Sequence, residues 1–415
     1  MSIEHFQSET MWRAASFLAF DMMRDTPDEG RKIARQMREQ AAAQRQPVLG
    51  TFAELGFAFA DFFEGNLAAA EPEFERTAAM FELLGDEEGI AFAALGTVAV
   101  WRRHGRTEQA YSLSHSKILP LLPDTDNHLS VLVLNMLGIL SQELGFTDEA
   151  VRHFYAALAQ AKRLGISNRI SQILANLGEI FYISGNAEYA ERLLHEAREL
   201  ACNSNERWLA PFISTMLALC QLALDKYEEA YQAVASYTND EDAHHTDHSS
   251  RAFCYSVAAY TLAKRGQLTE ADRLSQAAML LINRFEDKHL KPYSWWVSGH
   301  LHRCHKRYPE AIQDLRKAID DSGDKGYVYT PLCAMRELAE IYAELGRWEE
   351  AYREQQAYMN LFILAQSRAN KVNTETMHVK SELSEVDLAR RLAAEVRVER
   401  QIWDDELRRI LAERV

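Results

Sequence analysis

The chain has 415 residues, of which 47% are hydrophobic and 26% charged, enough to bury a large interior and to exclude wholesale disorder. A formal charge of −15, from 46 Lys and Arg against 61 Asp and Glu, repels phosphate backbones and anionic lipid, so neither nucleic acid nor a membrane is expected as a direct partner. Nine prolines and eighteen glycines are few for this length and predict a mostly helical chain.

Residues 1–45 read as an N-terminal helical cap, a degenerate copy of a unit that residues 46–364 repeat. Leu18 and Gly30 stand where the unit has a small residue and an alanine. The unit itself is fixed by Ala70, Ala110, Ala150, Ala190, Ala230, Ala271, Ala311 and Ala351, spaced by 40 residues with one interval of 41. Five positions before each alanine stand Gly65, Gly105, Gly145, Gly185, Asp225, Gly266, Lys306 and Gly346, a helix end where glycine takes a positive φ cheaply. Acidic residues follow, as in Gly145-Phe-Thr-Asp-Glu-Ala150, where the positive end of a new helix dipole favours them. Pro27 and Pro309 fall in first turns of such second helices, and Pro211, Pro292 and Pro331 at the starts of first helices, where a missing N–H costs nothing. Before each turn, apolar residues such as Leu134, Leu137 and Leu174, Leu177, Phe181 recur at spacings of three and four, the mark of an amphipathic helix. Each unit is therefore a helical hairpin.

Over about residues 50–360 these features resemble the tetratricopeptide repeats. Ala58, Val98, Gly138, Gly178, Ala218, Ala259, Gly299 and Ala339 occupy the family's close-packing position, twelve before each alanine. Four after each alanine the family prefers a large apolar residue; Phe74, Phe154, Leu194, Val234 and Leu315 fit, whereas Ser114, Ser275 and Gln355 depart. The period of 40 also exceeds the family's usual 34, so the helices or connectors are longer. The resemblance implies an all-α, right-handed superhelical solenoid of about eight to nine hairpins.

It also implies a concave groove lined by the second, fifth, ninth and twelfth positions of the first helices. In the unit starting at Pro292 these are Tyr293, Trp296, His300 and Arg303, aromatic and cationic groups suited to a peptide. Ser256 and Tyr260 flank them on one side and Arg336 on the other, while Asn135, Gln142 and Gln172 offer amides to an extended backbone. Packing between helices is a second reading of each. At the same positions the first full unit carries Phe52, Leu55, Phe59 and Phe62, a surface expected to lie buried under the cap rather than open.

After Gly346 no glycine or proline follows, so residues 365–415 predict one long helix. Val372, Val379 and Val386, then Val396, Trp403 and Ile410, recur by sevens within two registers, a coiled-coil seam with a shift. A parallel homodimer through this seam is expected, with a fold-back onto the last repeat as the alternative. The segment from Leu338 into this helix resembles the junction of bacterial sensors in which such repeats feed a signalling helix and an output such as a diguanylate cyclase.

No Gly-x-Ser-x-Gly, His-Glu-x-x-His or Gly-rich phosphate loop occurs, so no catalytic residue and no cofactor is expected. The runs around His244, His245 and His248 and around His300, Cys304 and His305 lack full ligand sets, so no metal is expected at either. Cys202, Cys220, Cys254, Cys304 and Cys333 form no CxxC pair, as reduced thiols in a cytoplasmic protein do. The function these features define is a non-catalytic sensor or adaptor that binds a protein segment or peptide. The alternative is a peptide-controlled regulatory phosphatase or response-regulator antagonist, which would draw on amide or acid residues near the N-terminus, where Gln36, Glu39 and Gln40 stand.

Overall fold

A computed structural model describes residues 9–123, 125–204, 206–238, 248–284, 290–322 and 329–412, with the side chains of 10, 248, 249, 368, 369 and 385–412 left aside. Its helices pair as hairpins in the expected phase: α1 Glu9–Met23 with α2 Pro27–Gln44, α3 Pro47–Phe63 with α4 Leu67–Leu84, and α5 Glu87–Arg103 with α6 Thr107–Leu113. Then come α7 His128–Glu143 with α8 Thr147–Leu164, α9 Ser167–Ile183 with α10 Ala187–Ser204, and α11 Ala210–Ala223 with α12 Tyr227–Ala235. The last are α13 His248–Lys264 with α14 Leu268–Arg284, α15 Lys291–Cys304 with α16 Tyr308–Ser322, and α17 Tyr329–Glu344 with the long α18 Trp348–Ala412. The result is an all-helical repeat solenoid. Among the described residues no helix is long and apolar enough to cross a membrane.

The turn positions explain the phase. All eight residues expected to end a first helix have positive φ, including Asp225 at 59° and Lys306 at 58°. For a residue with a Cβ this conformation costs roughly 1–2 kcal/mol, partly offset on replacement by the greater chain entropy glycine loses. Lys306→Gly is thus expected to raise stability by about 0.5–1 kcal/mol, read as a higher urea midpoint at unchanged slope.

The close-packing positions work by contact with the next helix. A Cβ built on Gly138 would lie 2.6 Å from the ring of Phe154, and one on Gly299 would lie 2.7 Å from Leu315. These partners are the large residues four after the alanines, so the two sequence patterns are halves of one interface. Where the partner is Ser114, α6 stops after Leu113 and the chain widens into a π-helical turn, Ser114–Ile118. Ser114 is buried and donates to the Ala110 carbonyl at 2.8 Å.

The N-terminal hairpin does more than close one end. α1 crosses successive first helices, with Phe20 against Phe59 of α3 at 4.7 Å and against Phe92 of α5 at 5.4 Å. Phe17 stacks on His128 at the start of α7, 4.9 Å between centroids. Phe52, Leu55, Phe59 and Phe62 are accordingly buried. Leu18, matched to the small-residue position, is instead exposed, and Ala15 and Ala19 take the packed face.

The C-terminal helix departs from the expected dimer seam. Val372 and Val379 are fully buried within the core of their own chain. α18 lies along α8, where Lys371 Nζ pairs with Asp148 Oδ2 at 2.6 Å and Arg152 pairs with Glu375. Further along, Lys380 Nζ donates to the Tyr189 hydroxyl at 2.6 Å. The valine stripe is thus covered by the fourth hairpin, neither by a second chain nor as a cap on the last repeat. Val386, Val396, Trp403 and Ile410 lie outside the described side chains.

Candidate functional site

The wall expected around α15 is built, and most of it is interior. Trp296 is 1% exposed, and its Nε1–H donates to Glu337 Oε1 of α17 at 2.9 Å. The other carboxylate oxygen lies 2.9 Å from His300 Nδ1. Burial pushes Glu337 up, but the bonds from His300 and Trp296 outweigh it and hold the carboxyl below its usual range. Burial likewise pulls His300 down, but Cys304 and Glu337 lift it to about 9, so the two form a buried ion pair. Tyr260 and Tyr293 pack on Trp296 at 4.5 and 5.2 Å, and the hydroxyls of Ser256 and Ser294 meet at 2.8 Å.

Tyr293, Trp296, His300, Ser256 and Tyr260 therefore hold α13, α15 and α17 together instead of presenting faces to a ligand. Arg303 stays near the surface but is engaged by Glu340 and Glu344, the latter at 2.6 Å. Arg336 is exposed. Asn135 accepts from Asn176 at 2.9 Å, and Gln172 accepts from Arg169 at 3.0 Å, both buried. Gln142 is half-buried.

A polar cavity of about 160 Å³ lies elsewhere, between the end of α1, the start of α9 and the α10–α11 turn. Asp21, Arg24, Asp25, Asn168, Arg169, Glu206 and Trp208 line it. The cavity is braced by fixed bonds: Asn168 Nδ2 donates to Asp21 Oδ2 at 2.8 Å, the Trp208 backbone N–H donates to Asp25 Oδ1 at 2.7 Å, and Arg169 pairs with Asp21. Arg24 differs. Its guanidinium lies 4.5 Å over the Trp208 ring, its Nε is buried with no hydrogen-bond partner, and no ion pair engages it among the described residues.

The electrostatics match that description. Burial lowers Arg24 to about 10, against the pull of Glu206 and Asp25, and lowers Arg169 to about 9. Burial raises Glu206 to about 7, opposed by the Ser171 hydroxyl, which donates to Oε2 at 2.8 Å, and by the two arginines. Glu206 Oε1 is buried without a partner. A desolvated guanidinium beside a carboxyl that is half-protonated near neutrality is a receptor for an anionic oxygen. Helix periodicity gives no sign of it, because its charges come from three junctions far apart in the chain.

Residues 129–203 match the tetratricopeptide-repeat family. No curated protein matches the chain by sequence. Among solved structures, a Rap protein complexed with Competence and Sporulation Factor is similar at 13% identity, covering 88% of this chain and 99% of its own, with a TM-score of 0.57. NprR in complex with its cognate peptide NprX is similar at 12% identity, over 86% of this chain and 99% of its own, TM-score 0.56. Aspartyl phosphate phosphatase F from Bacillus subtilis follows at 12% identity, 87% and 95% coverage, TM-score 0.52. These likenesses establish the fold over nearly the full described length. None of the three is a cyclase sensor.

Proposed function

We propose that this chain is a peptide-responsive regulator of a protein partner, closer to the peptide-controlled phosphatases and response-regulator antagonists than to a cyclase sensor. The observation that carries the reading is the unpaired Arg24 guanidinium in a cavity shared by the N-terminal hairpin and the repeats. A ligand carboxylate bridging Arg24 and the α9 side binds with α1 docked and loses one wall when α1 is displaced. Occupancy is thereby linked to the position of the hairpin, through differential affinity for two arrangements. The two peptide- or factor-bound proteins of similar fold support the choice of ligand class.

The action on the partner is read as binding rather than chemistry. On α2, Gln36 and Glu39 are exposed and Gln40 donates to Gln44 at 3.4 Å, so no acid there is buried or oriented by a second group. Self-association through α18 forms no part of the reading, since Val372 and Val379 are covered within the chain.

Calorimetric titration with short synthetic peptides, paired as free acid and C-terminal amide, tests the site. The free acids should bind and amidation should weaken them, and Arg24→Met should cost roughly 10–100-fold, the worth of a charged hydrogen bond. The variant should keep its melting temperature, because Arg24 makes no bond that the fold would lose. Affinity should fall from pH 6 to pH 8, since ionised Glu206, with its midpoint near 7, repels the ligand and competes for the guanidinium. Glu206→Gln should flatten that slope. Equal affinity for acid and amide, unmoved by Arg24→Met, would remove the assignment.

A further inference from the structure

A second site lies on the outer helices of the third and fourth hairpins, apart from the Arg24 cavity and independent of its reading. His115, Glu149 and His153 bring one imidazole nitrogen or carboxylate oxygen each within 4.8 Å of one another. Glu149 and His153 are four apart on α8, so they lie one above the other on a single face. His115 reaches them from the neighbouring strand of helix, its ring centroid 5.9 Å from that of His153.

Two further features point to a ligand between them. His115 Nε2 is buried and has no hydrogen-bond partner, a state that costs free energy unless something binds there. His115 also sits inside the π-helical turn Ser114–Ile118. The wide turn adds a residue to the helix and rotates the side chains after Ser114 relative to the repeat pattern; such turns recur at functional sites. This is the unit in which Ser114 replaces the large apolar residue, a departure that packing alone leaves without a purpose.

The surroundings supply what a metal ligand needs from its neighbours. The Tyr111 hydroxyl donates to Glu149 Oε2, fixing the carboxylate, as groups behind metal ligands commonly do. The Tyr111 ring also lies 4.4 Å from that of His115 and holds the imidazole from one side. We propose that His115, Glu149 and His153 bind one divalent transition-metal ion, of which Zn²⁺ is the probe. Two imidazoles and one carboxylate suit it, and three protein ligands leave a fourth position for water or a partner's side chain. Such an ion would tie α6 and its π turn to α8, where α6 is one of the shortest helices in the stack.

The test uses the full chain, stripped with chelator, with His244, His245 and His248 replaced by alanine so that this separate histidine run does not compete. Calorimetry with ZnCl₂ should give one site, and saturating Zn²⁺ should raise the melting temperature, since an ion that binds the native state stabilises it. Co²⁺ should give the visible absorption of a four-coordinate ion. His153→Gln and His115→Ala should each weaken Zn²⁺ by more than about 100-fold, and Tyr111→Phe by roughly 10-fold. Circular dichroism confirms that each variant is helical, and His153→Gln alone decides the matter if His115→Ala does not fold. Absence of binding, or one-site binding that survives His153→Gln, would overturn the proposal.

Discussion

Trp296→Ala is expected to destabilise the protein by about 3–5 kcal/mol, the usual cost of emptying a buried aromatic site. Trp296 is among the largest side chains in this chain that are fully buried. Removing it opens a cavity between α13, α15 and α17 and takes from Glu337 one of the two bonds that keep its buried charge. Trp296→Phe separates these effects: it keeps most of the bulk, loses only the Nε1–H bond, and should cost about 1–3 kcal/mol. Arg303→Glu, which breaks surface pairs with Glu340 and Glu344, should change stability by about 1 kcal/mol or less. Urea unfolding checks all three. If these side chains line an open groove, Trp296→Ala would unfold near the parent midpoint, and the interior assignment would fail.

The difference between the groove expected at α15 and the packed wall found there shows where local pattern stops carrying information. The repeat phase is legible because it rests on short-range physics: apolar residues three and four apart, an alanine against a close neighbour, and a helix end that needs positive φ. Even Asp225 and Lys306, which break the glycine pattern, adopt that conformation, because the spacing of the two helices leaves no other path.

Burial within the inner face depends instead on which helix lies opposite. Glu337 is 41 residues beyond Trp296, and nothing in the spacing of Tyr293, Trp296 and His300 states that a carboxylate will meet them. Asp21, Arg169 and Glu206 are likewise joined by the crossing of α1 over the repeats, and His115 and His153 by the π turn. A sequence period records that a residue faces inward, while the partner is set by the superhelix. The valine stripe of α18 follows the same rule. Seven-residue spacing states that something covers the valines, and both a second chain and a distant hairpin satisfy it.

Val372→Asp distinguishes those two covers. In the structure Val372 is fully buried where α18 meets α8, so a carboxylate there has neither water nor a cation placed to receive it. The cost of such a charge is several kcal/mol, and about 3 kcal/mol is expected to be lost from the docking of α18. Because α18 is held to α8 along one face, flanked by Lys371–Asp148 and Arg152–Glu375, the helix should detach before the repeats unfold. Limited trypsin digestion should then cut α18 far faster than in the parent, while the repeat region stays resistant and keeps its helical signal. Charge exchange at the flank, Arg152→Glu with Glu375→Arg, should change this little, since exposed pairs are worth about 0–1 kcal/mol. Light scattering should give the same mass for Val372→Asp and the parent, because the contact broken lies within one chain. A mass halved by Val372→Asp, with trypsin resistance unchanged, would place the valine seam between two chains and reverse the assignment of α18.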